Sequence, residues 1–276
     1  MQTMKKLVIS LCIALAYIPT QGFASPIMGP DLGSFAVLGG TTVTNTGETT
    51  LNGNLGVSPG SAITGFYGTV ENDGPGTFTG RAYQADSEAQ LAHNQLGGSM
   101  VRLGLMGPGT LEPANLTGLT LDPGVYTVPA ATSNLTGTLT LNGLGQTDQT
   151  WVFLMPSSLI TSVDSRVTLS NMGAGDSVYW DVGSSATLET NTRFAGNILA
   201  YASISLDNGA SILDGRALAY TGAVTLNDNR IVVPSATPLP SAWIMMASGL
   251  SLTGFLAYRR KNVLFAAPIT SIPMSS

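Results

Sequence analysis

The chain has 276 residues, with 16 acidic residues against 11 lysines and arginines, one histidine and one cysteine. All sixteen acidic residues but only six basic ones, Arg81, Arg102, Arg166, Arg193, Arg216 and Arg230, fall between Ser25 and Thr237, a formal charge of about −10 for that stretch. That balance disfavours nucleic acid and anionic membranes as partners, and plentiful Gly, Thr, Ser and Asn among frequent apolar residues is neither a disordered nor a helical composition.

The chain opens with Lys5 and Lys6, an apolar run from Leu7 to Ile18 and small residues around Ala24. This is the layout of a secretory signal, residues 1–24, cleaved after Ala24. The single cysteine, Cys12, lies inside it behind Leu11, where a lipoprotein signal would carry a small residue. The exported part therefore holds no disulfide and depends on packing alone. No Pro-rich or charged linker interrupts the chain before Pro234, so residues 25–233 read as one domain.

The stretch Gly80 to Gly98 lacks strand alternation, is rich in Ala, Gln, Leu and Glu, and ends at a glycine pair. It predicts a helix of about five turns over residues 80–97. Tyr83, Ala85, Ala89, Ala92 and Leu96 follow helical spacing and would form its packing face.

Beyond it the chain repeats a short step: LTLD (Leu119 to Asp122), LTLN (Leu139 to Asn142), VTLS (Val167 to Ser170), ATLE (Ala186 to Glu189), ISLD (Ile204 to Asp207) and VTLN (Val224 to Asn227). The shared leucines are Leu121, Leu141, Leu169, Leu188, Leu206 and Leu226, and Leu51 in TTLNGN takes the same role. From Leu121 to Leu226 the spacing is even except for one longer step, from Leu141 to Leu169, which contains the apolar insertion Trp151 to Met155. A period near twenty residues with glycines between short alternating segments marks a solenoid whose coils bury inward side chains against their neighbours. A second ladder, in VYWDVG (Val178 to Gly183), GNILAY (Gly196 to Tyr201) and GRALAY (Gly215 to Tyr220), runs half a coil out of phase. Each coil thus supplies at least two strands, and a cross-section of two or three flat faces follows. The leucines point inward, and the residue before each one points out.

At the far end, Ser241 to Tyr258 is almost wholly apolar or small and is followed by Arg259, Arg260 and Lys261. This predicts a membrane span over 241–258 with its basic flank inside. With Pro238-Leu239-Pro240 before it, the segment 234–261 resembles the PEP-CTERM sorting tails of Gram-negative bacteria. The resemblance implies a temporary inner-membrane anchor removed by an exosortase-type enzyme on the way to the cell surface, matrix or medium. Leu239 stands where that motif has glutamate, and residues 262–276 extend past the basic cluster. A permanent single-span anchor is the alternative.

Catalysis finds little support. His93 is the only histidine and lies on the predicted helix, no cysteine or histidine spacing suits a metal, and no cofactor is expected. Asp164, Asp176, Asp181, Asp207, Asp214 and Asp228 are scattered singly, mostly at strand ends where turns favour aspartate. The segment Asn72 to Gly76 lacks the alternating carboxylates of a calcium loop. A polysaccharide-cleaving enzyme would need folding to gather carboxylates in one groove.

Ser34 to Phe66 resembles the N-terminal signature of the microbial ice-binding proteins. Similar passages are the helical stretch, LDPGVYTV (Leu121 to Val128), SVYWDVGSSATL (Ser177 to Leu188), FAGNILAYASISL (Phe194 to Leu206) and GRALAYTGAVTLNDN (Gly215 to Asn229). The likeness runs in order from about Ser34 to Val233. It implies a mainly β, right-handed, discontinuous β-solenoid with one long α-helix packed along it. It also implies an extracellular antifreeze or recrystallisation-inhibiting function, with the ice crystal surface as partner, through a flat, rigid, hydroxyl-bearing face. The loose Thr-Ala/Gly-X-Thr motif of that family occurs intact at Thr117-Gly118-Leu119-Thr120. The residues expected to meet ice are Thr117, Thr120, Thr138, Thr140, Thr168, Thr187, Ser205 and Thr225, with Thr50 in the same outward rank. The second ladder, through Asn197 to Ala200 and Arg216 to Ala219, is the alternative face. The alternative function is a structural or adhesive matrix protein with the same fold, no ice affinity and extracellular polysaccharide as its partner.

Overall fold

The computed structural model describes residues 27–234. The predicted export signal, Pro238, Pro240, Arg259, Arg260, Lys261 and the predicted span lie outside the described residues. Among the described residues no helix is long and apolar enough to cross a membrane.

Seven short strands come first: β1 (Phe35–Gly39), β2 (Thr42–Thr46), β3 (Thr50–Asn52), β4 (Asn54–Val57), β5 (Ala62–Thr64), β6 (Thr77–Phe78) and β7 (Ala82–Gln84). The α-helix α1 (Ser87–Gly104) follows, the only α-helix among the described residues. The chain then lays down β8 (Thr110–Leu111), β9 (Thr120–Leu121), β10 (Gly124–Thr127), β11 (Thr138–Asn142), β12 (Thr150–Met155), β13 (Leu159–Ile160) and β14 (Arg166–Ser170). It ends with β15 (Ser177–Val182), β16 (Ala186–Leu188), β17 (Arg193–Ala200), β18 (Ile204–Leu206), β19 (Ser211–Ala219), β20 (Val224–Asn227) and β21 (Arg230–Val232).

These strands stack in parallel into three faces. The first runs β9, β11, β14, the opening halves of β17 and β19, then β21, β3 and β6. The second runs β8, β10, β12, β15, the closing halves of β17 and β19, then β1, β4 and β7. The third is a separate six-stranded sheet in the order β13, β16, β18, β20, β2, β5. The N-terminal strands complete the stack, since β1 pairs with β19, β2 with β20 and β3 with β21. The helix then carries the chain back along the second face, so that β8 restarts the stack at its other end. Its length of about 27 Å is close to six strand spacings of about 4.8 Å.

The interior is filled by the inward half of each alternation, as the repeated leucines predict. Leu51, Leu141, Leu188, Leu206 and Leu226 are all buried, and Leu169 packs against the same core while partly exposed. At the β8 end the coils are wide. Tyr126, Phe153 and Trp180 pair in register on successive coils and stack, with centroids 5.5 and 4.0 Å apart. Toward the N-terminal strands the coils take fewer residues, as the closer numbering of the register partners Ala186, Ile204 and Val224 shows, and aliphatic side chains suffice to fill them.

A second core lies between the second face and α1, where Ala92, Leu96 and Leu103 meet Val152, Tyr179, Leu199 and Leu218. The helix begins later and runs further than residues 80–97. Ala82–Gln84 is a strand because it hydrogen-bonds along β4. Ala85 takes a left-handed turn (φ 52), and the Asp86 side chain caps α1 by accepting from the Ala89 N–H at 2.9 Å. The Gly97-Gly98 pair does not end the helix. A Cβ on Gly97 would lie 3.1 Å from the Tyr220 ring, so this glycine lets the helix approach the solenoid. His93 is half-buried and stacks on the same ring at 4.6 Å, with its pKa lowered by burial.

The second ladder is correct as a strand rank, but not as an open face. Asn197 and Arg216 are buried, and the Arg216 guanidinium donates to Asn197 Oδ1 at 2.7 Å and to the Gly33 carbonyl. Burial pulls its pKa down to about 10. The helix and the segment before β1 cover this ladder, so it presents nothing flat to solvent.

Candidate functional site

The outward Thr/Ser rank expected from the Thr-Leu step is two ranks on two faces. Thr120, Thr140 and Thr168 are neighbours in register on the first face, with Thr138 beside Arg166 in the adjoining column. Thr187, Ser205 and Thr225 are neighbours in register on the third. Thr50 belongs to the first face, next to Arg230 and Thr77. Thr117 is on neither. Gly118 turns the chain (φ 81), and the Thr117 hydroxyl accepts from the Thr136 and Gly137 N–H groups at 2.8 and 3.0 Å. The intact Thr-Gly-Leu-Thr motif is thus a corner staple followed by a strand.

The third face is the regular one. Its outward central column is Ile160, Thr187, Ser205, Thr225, Thr44 and Thr64, each directly beside the next. None of these pairings carries a register shift, whereas the pairings of β1 with β4 and of β17 with β19 each do. Six strands span about 24 Å at a spacing of about 4.8 Å. Behind the column, Leu159, Ala186, Leu188, Ile204, Leu206, Val224, Leu226, Val43 and Ile63 are 0–1 % exposed. The backbone is therefore held from within, and β-branched threonine adds a stiff side chain outside.

One column to the side stand Ser185, Ser203, Ala223, Thr42 and Ala62, also small and uncharged. Two of these serines are used internally: Ser185 Oγ accepts from the Ser203 N–H and Ser203 Oγ from the Ala223 N–H, each at 3.3 Å. The central hydroxyls enter no such bond among the described residues, which leaves them for water. Acidic residues come only after the strands end, at Glu189, Asp207 and Asp228. The central column is thus a row of methyls and hydroxyls in unbroken register, without a charge.

The first face differs. Its outward column reads Thr138, Arg166, Arg193, Ser211, Arg230, Thr50 and Thr77, with three exposed guanidinium side chains in one row. β17 also bulges at Gly196 (φ 100), where it turns from the first face to the second.

Three of the eight expected residues, Thr187, Ser205 and Thr225, therefore share the regular face. Thr42, Thr44, Thr46, Ala62, Thr64 and Ile160 complete it and were not among the expected residues. The alternating threonines of TTVTNT, residues 41–46, were the available signal.

The scattered aspartates mostly serve turns. Asp164, Asp214 and Asp228 have left-handed backbones, Asp228 Oδ1 accepts from the Glu48 N–H, and Asp176 accepts from the Gln149 and Gly173 N–H groups. In the segment Asn72 to Gly76, Asn72 and Asp73 cap backbone N–H groups of Gly68 and Gly65. Among the described residues no group of three or more His, Cys, Asp or Glu could hold a metal ion.

Residues 37–232 match the family profile described as "Ice-binding-like". An ice-binding protein of Nostoc sp. (strain HG1) is 40% identical over 228 residues, covering 82% of each chain. One from Flavobacterium frigoris (strain PS1) is 32% identical over 214 residues, covering 73% of this chain and 74% of the other. The crystal structure of an ice-binding protein from the Antarctic ascomycete Antarctomyces psychrotrophicus superposes with a TM-score of 0.68 at 33% identity. It covers 76% of this chain and 99% of its own.

Proposed function

The chain belongs to the ice-binding-like family, and from that premise we propose that it binds ice through its third face, the sheet of β13, β16, β18, β20, β2 and β5. The carrying observation is the unshifted, charge-free rank Ile160, Thr187, Ser205, Thr225, Thr44 and Thr64. A crystal surface is a rigid partner that cannot adapt, so a site for it has to be ordered before contact. A sheet packed from within supplies that order and lowers the entropy cost of binding. Methyls and hydroxyls repeating at the strand spacing can hold a layer of ordered water that becomes part of the interface. An arginine projecting from such a plane would hold water in its own geometry, which disfavours the first face.

The direct test is thermal hysteresis and inhibition of ice recrystallisation, with partition into a growing ice hemisphere as the binding measurement. Activity no greater than that of an inert protein at the same concentration would refute the function.

We further propose that the protein acts outside the cell. Residues 1–24 support export through the secretory pathway, and Pro238, Pro240, Arg259, Arg260 and Lys261 with the apolar segment 241–258 support sorting by a PEP-CTERM-type route in a Gram-negative host. On this reading an exosortase-type enzyme removes the tail after transient anchoring. Mass spectrometry of the termini of secreted protein tests it: an intact C-terminus confined to the membrane fraction indicates a permanent anchor instead.

A further inference from the structure

The first face opens into a groove lined by residues of β14, β17 and β19. β14 and β17 pair only where Arg166 stands beside Arg193. Past that point β14 stays with β11, while β17 turns at Gly196 on to the second face. The strands part over a depression of about 360 Å³ floored by Leu169, Phe194 and Leu213, and Leu213 is 44% exposed. A second depression of about 340 Å³ continues toward the corner at Asp164 and Asn191. Arg166 and Arg193 line both.

These two arginines are unlike the buried one. Arg216 is tied to Asn197 and Gly33, whereas the exposed guanidinium groups of Arg166 and Arg193 enter no hydrogen bond or ion pair among the described residues. Like charges side by side on neighbouring strands repel. Arg230 extends the row two strands beyond Arg193, with Ser211 between, at a distance of about 10 Å.

We propose that this groove binds an acidic polysaccharide, a chain of uronic acid units. The apolar floor suits the C–H face of a sugar ring. Paired guanidinium forks suit a ring carboxylate, which they can grip in a bidentate manner. Asp164, Asn191 and Asp214 at the rim can accept or share hydroxyl hydrogen bonds. Those same aspartates, on a domain of net charge near −10, disfavour a dense polyanion such as nucleic acid. The site is independent of the ice reading because it lies on a different face, so one protein can hold matrix polysaccharide while its third face stays open.

Titration calorimetry with tetragalacturonate on the whole protein tests this, with maltotetraose, sodium sulfate and a short DNA duplex as comparison ligands. Tetragalacturonate is expected to bind, maltotetraose and DNA not, and the double variant Arg166→Glu, Arg193→Glu to weaken binding at least about tenfold. Leu213→Glu should weaken it without touching either arginine. Thr225→Tyr should leave it unchanged. Because the three side chains replaced in the groove are exposed, an unaltered circular dichroism melt checks the fold of each variant. The proposal is overturned by no heat with tetragalacturonate, by unchanged affinity in the double variant, or by sulfate or DNA binding as tightly.

Discussion

Thr44 and Thr225 stand directly beside one another on neighbouring strands, one from the second and the other from the second-to-last strand of the described residues. The third face is thus continuous only because the N-terminal strands dock on the C-terminal coil. Placing a bulky side chain at either position lifts the face off a flat surface. Thr44→Tyr and Thr225→Tyr are each expected to reduce thermal hysteresis to a small fraction of that of the parent protein. Thr140→Tyr and Thr168→Tyr, on the first face, should leave it nearly intact. All four sites face outward, so stability should change by no more than about 0.5 kcal/mol. Loss of hysteresis in the first-face pair with retention in the third-face pair would reverse the assignment.

The solenoid and its inward leucines were readable because burial imposes alternation on every coil. The faces were not, and the reason is arithmetic. Leu169 and Leu188 are separated along the chain almost as Leu188 and Leu206 are, yet the first two lie on different faces of one wide coil while the second two are true neighbours in register. Two coil lengths in one chain make these separations look alike. The helix boundary failed for a related reason: a glycine pair signals a stop on an isolated helix, but Gly97 is small because Tyr220 lies against it. The capping aspartate, by contrast, is visible in the sequence as Asp86 before Ser87-Glu88, a start signal that a boundary at residue 80 leaves unused.

Asp86 gives the helix start a direct test. Its carboxylate accepts from the Ala89 N–H at 2.9 Å, satisfying one of the donors that every helix N-terminus leaves open. Asp86→Ala is expected to cost about 1 kcal/mol in urea unfolding. Hysteresis in the cold should be unchanged, since α1 lies against the second face. A variant as stable as the parent would place the helix start elsewhere.

Gly196 tests the bend that carries β17 between faces. Its φ of 100 is a conformation few side chains adopt, and a Cβ there would lie 2.7 Å from Val178 Cβ. Neither relaxes cheaply, because Val178 is buried in the core beside Trp180. Gly196→Ala is expected to destabilise the fold by about 2–3 kcal/mol, measured by denaturant unfolding. A cost below about 0.5 kcal/mol would show that the bend has room to adjust.

Asp181 makes stability depend on pH. It is flanked in register by Leu154 and Leu199 on the second face, and burial pushes its carboxyl up from 3.8 to about 6. Because the folded pKa is the higher one, the folded state binds the proton more tightly than the unfolded chain. Stability from this group is therefore fully present below about pH 4, falls as pH rises to about 6, and stays low above that. The full gap would correspond to about 3 kcal/mol, and the group's partial exposure reduces the expected effect to about 1–2 kcal/mol. Asp181→Asn removes the titration, so its unfolding free energy should exceed that of the parent by this amount at pH 7 and converge with it near pH 4. Parallel profiles for the two proteins between pH 4 and 7 would mean that water reaches the carboxylate as freely in the fold as in the unfolded chain.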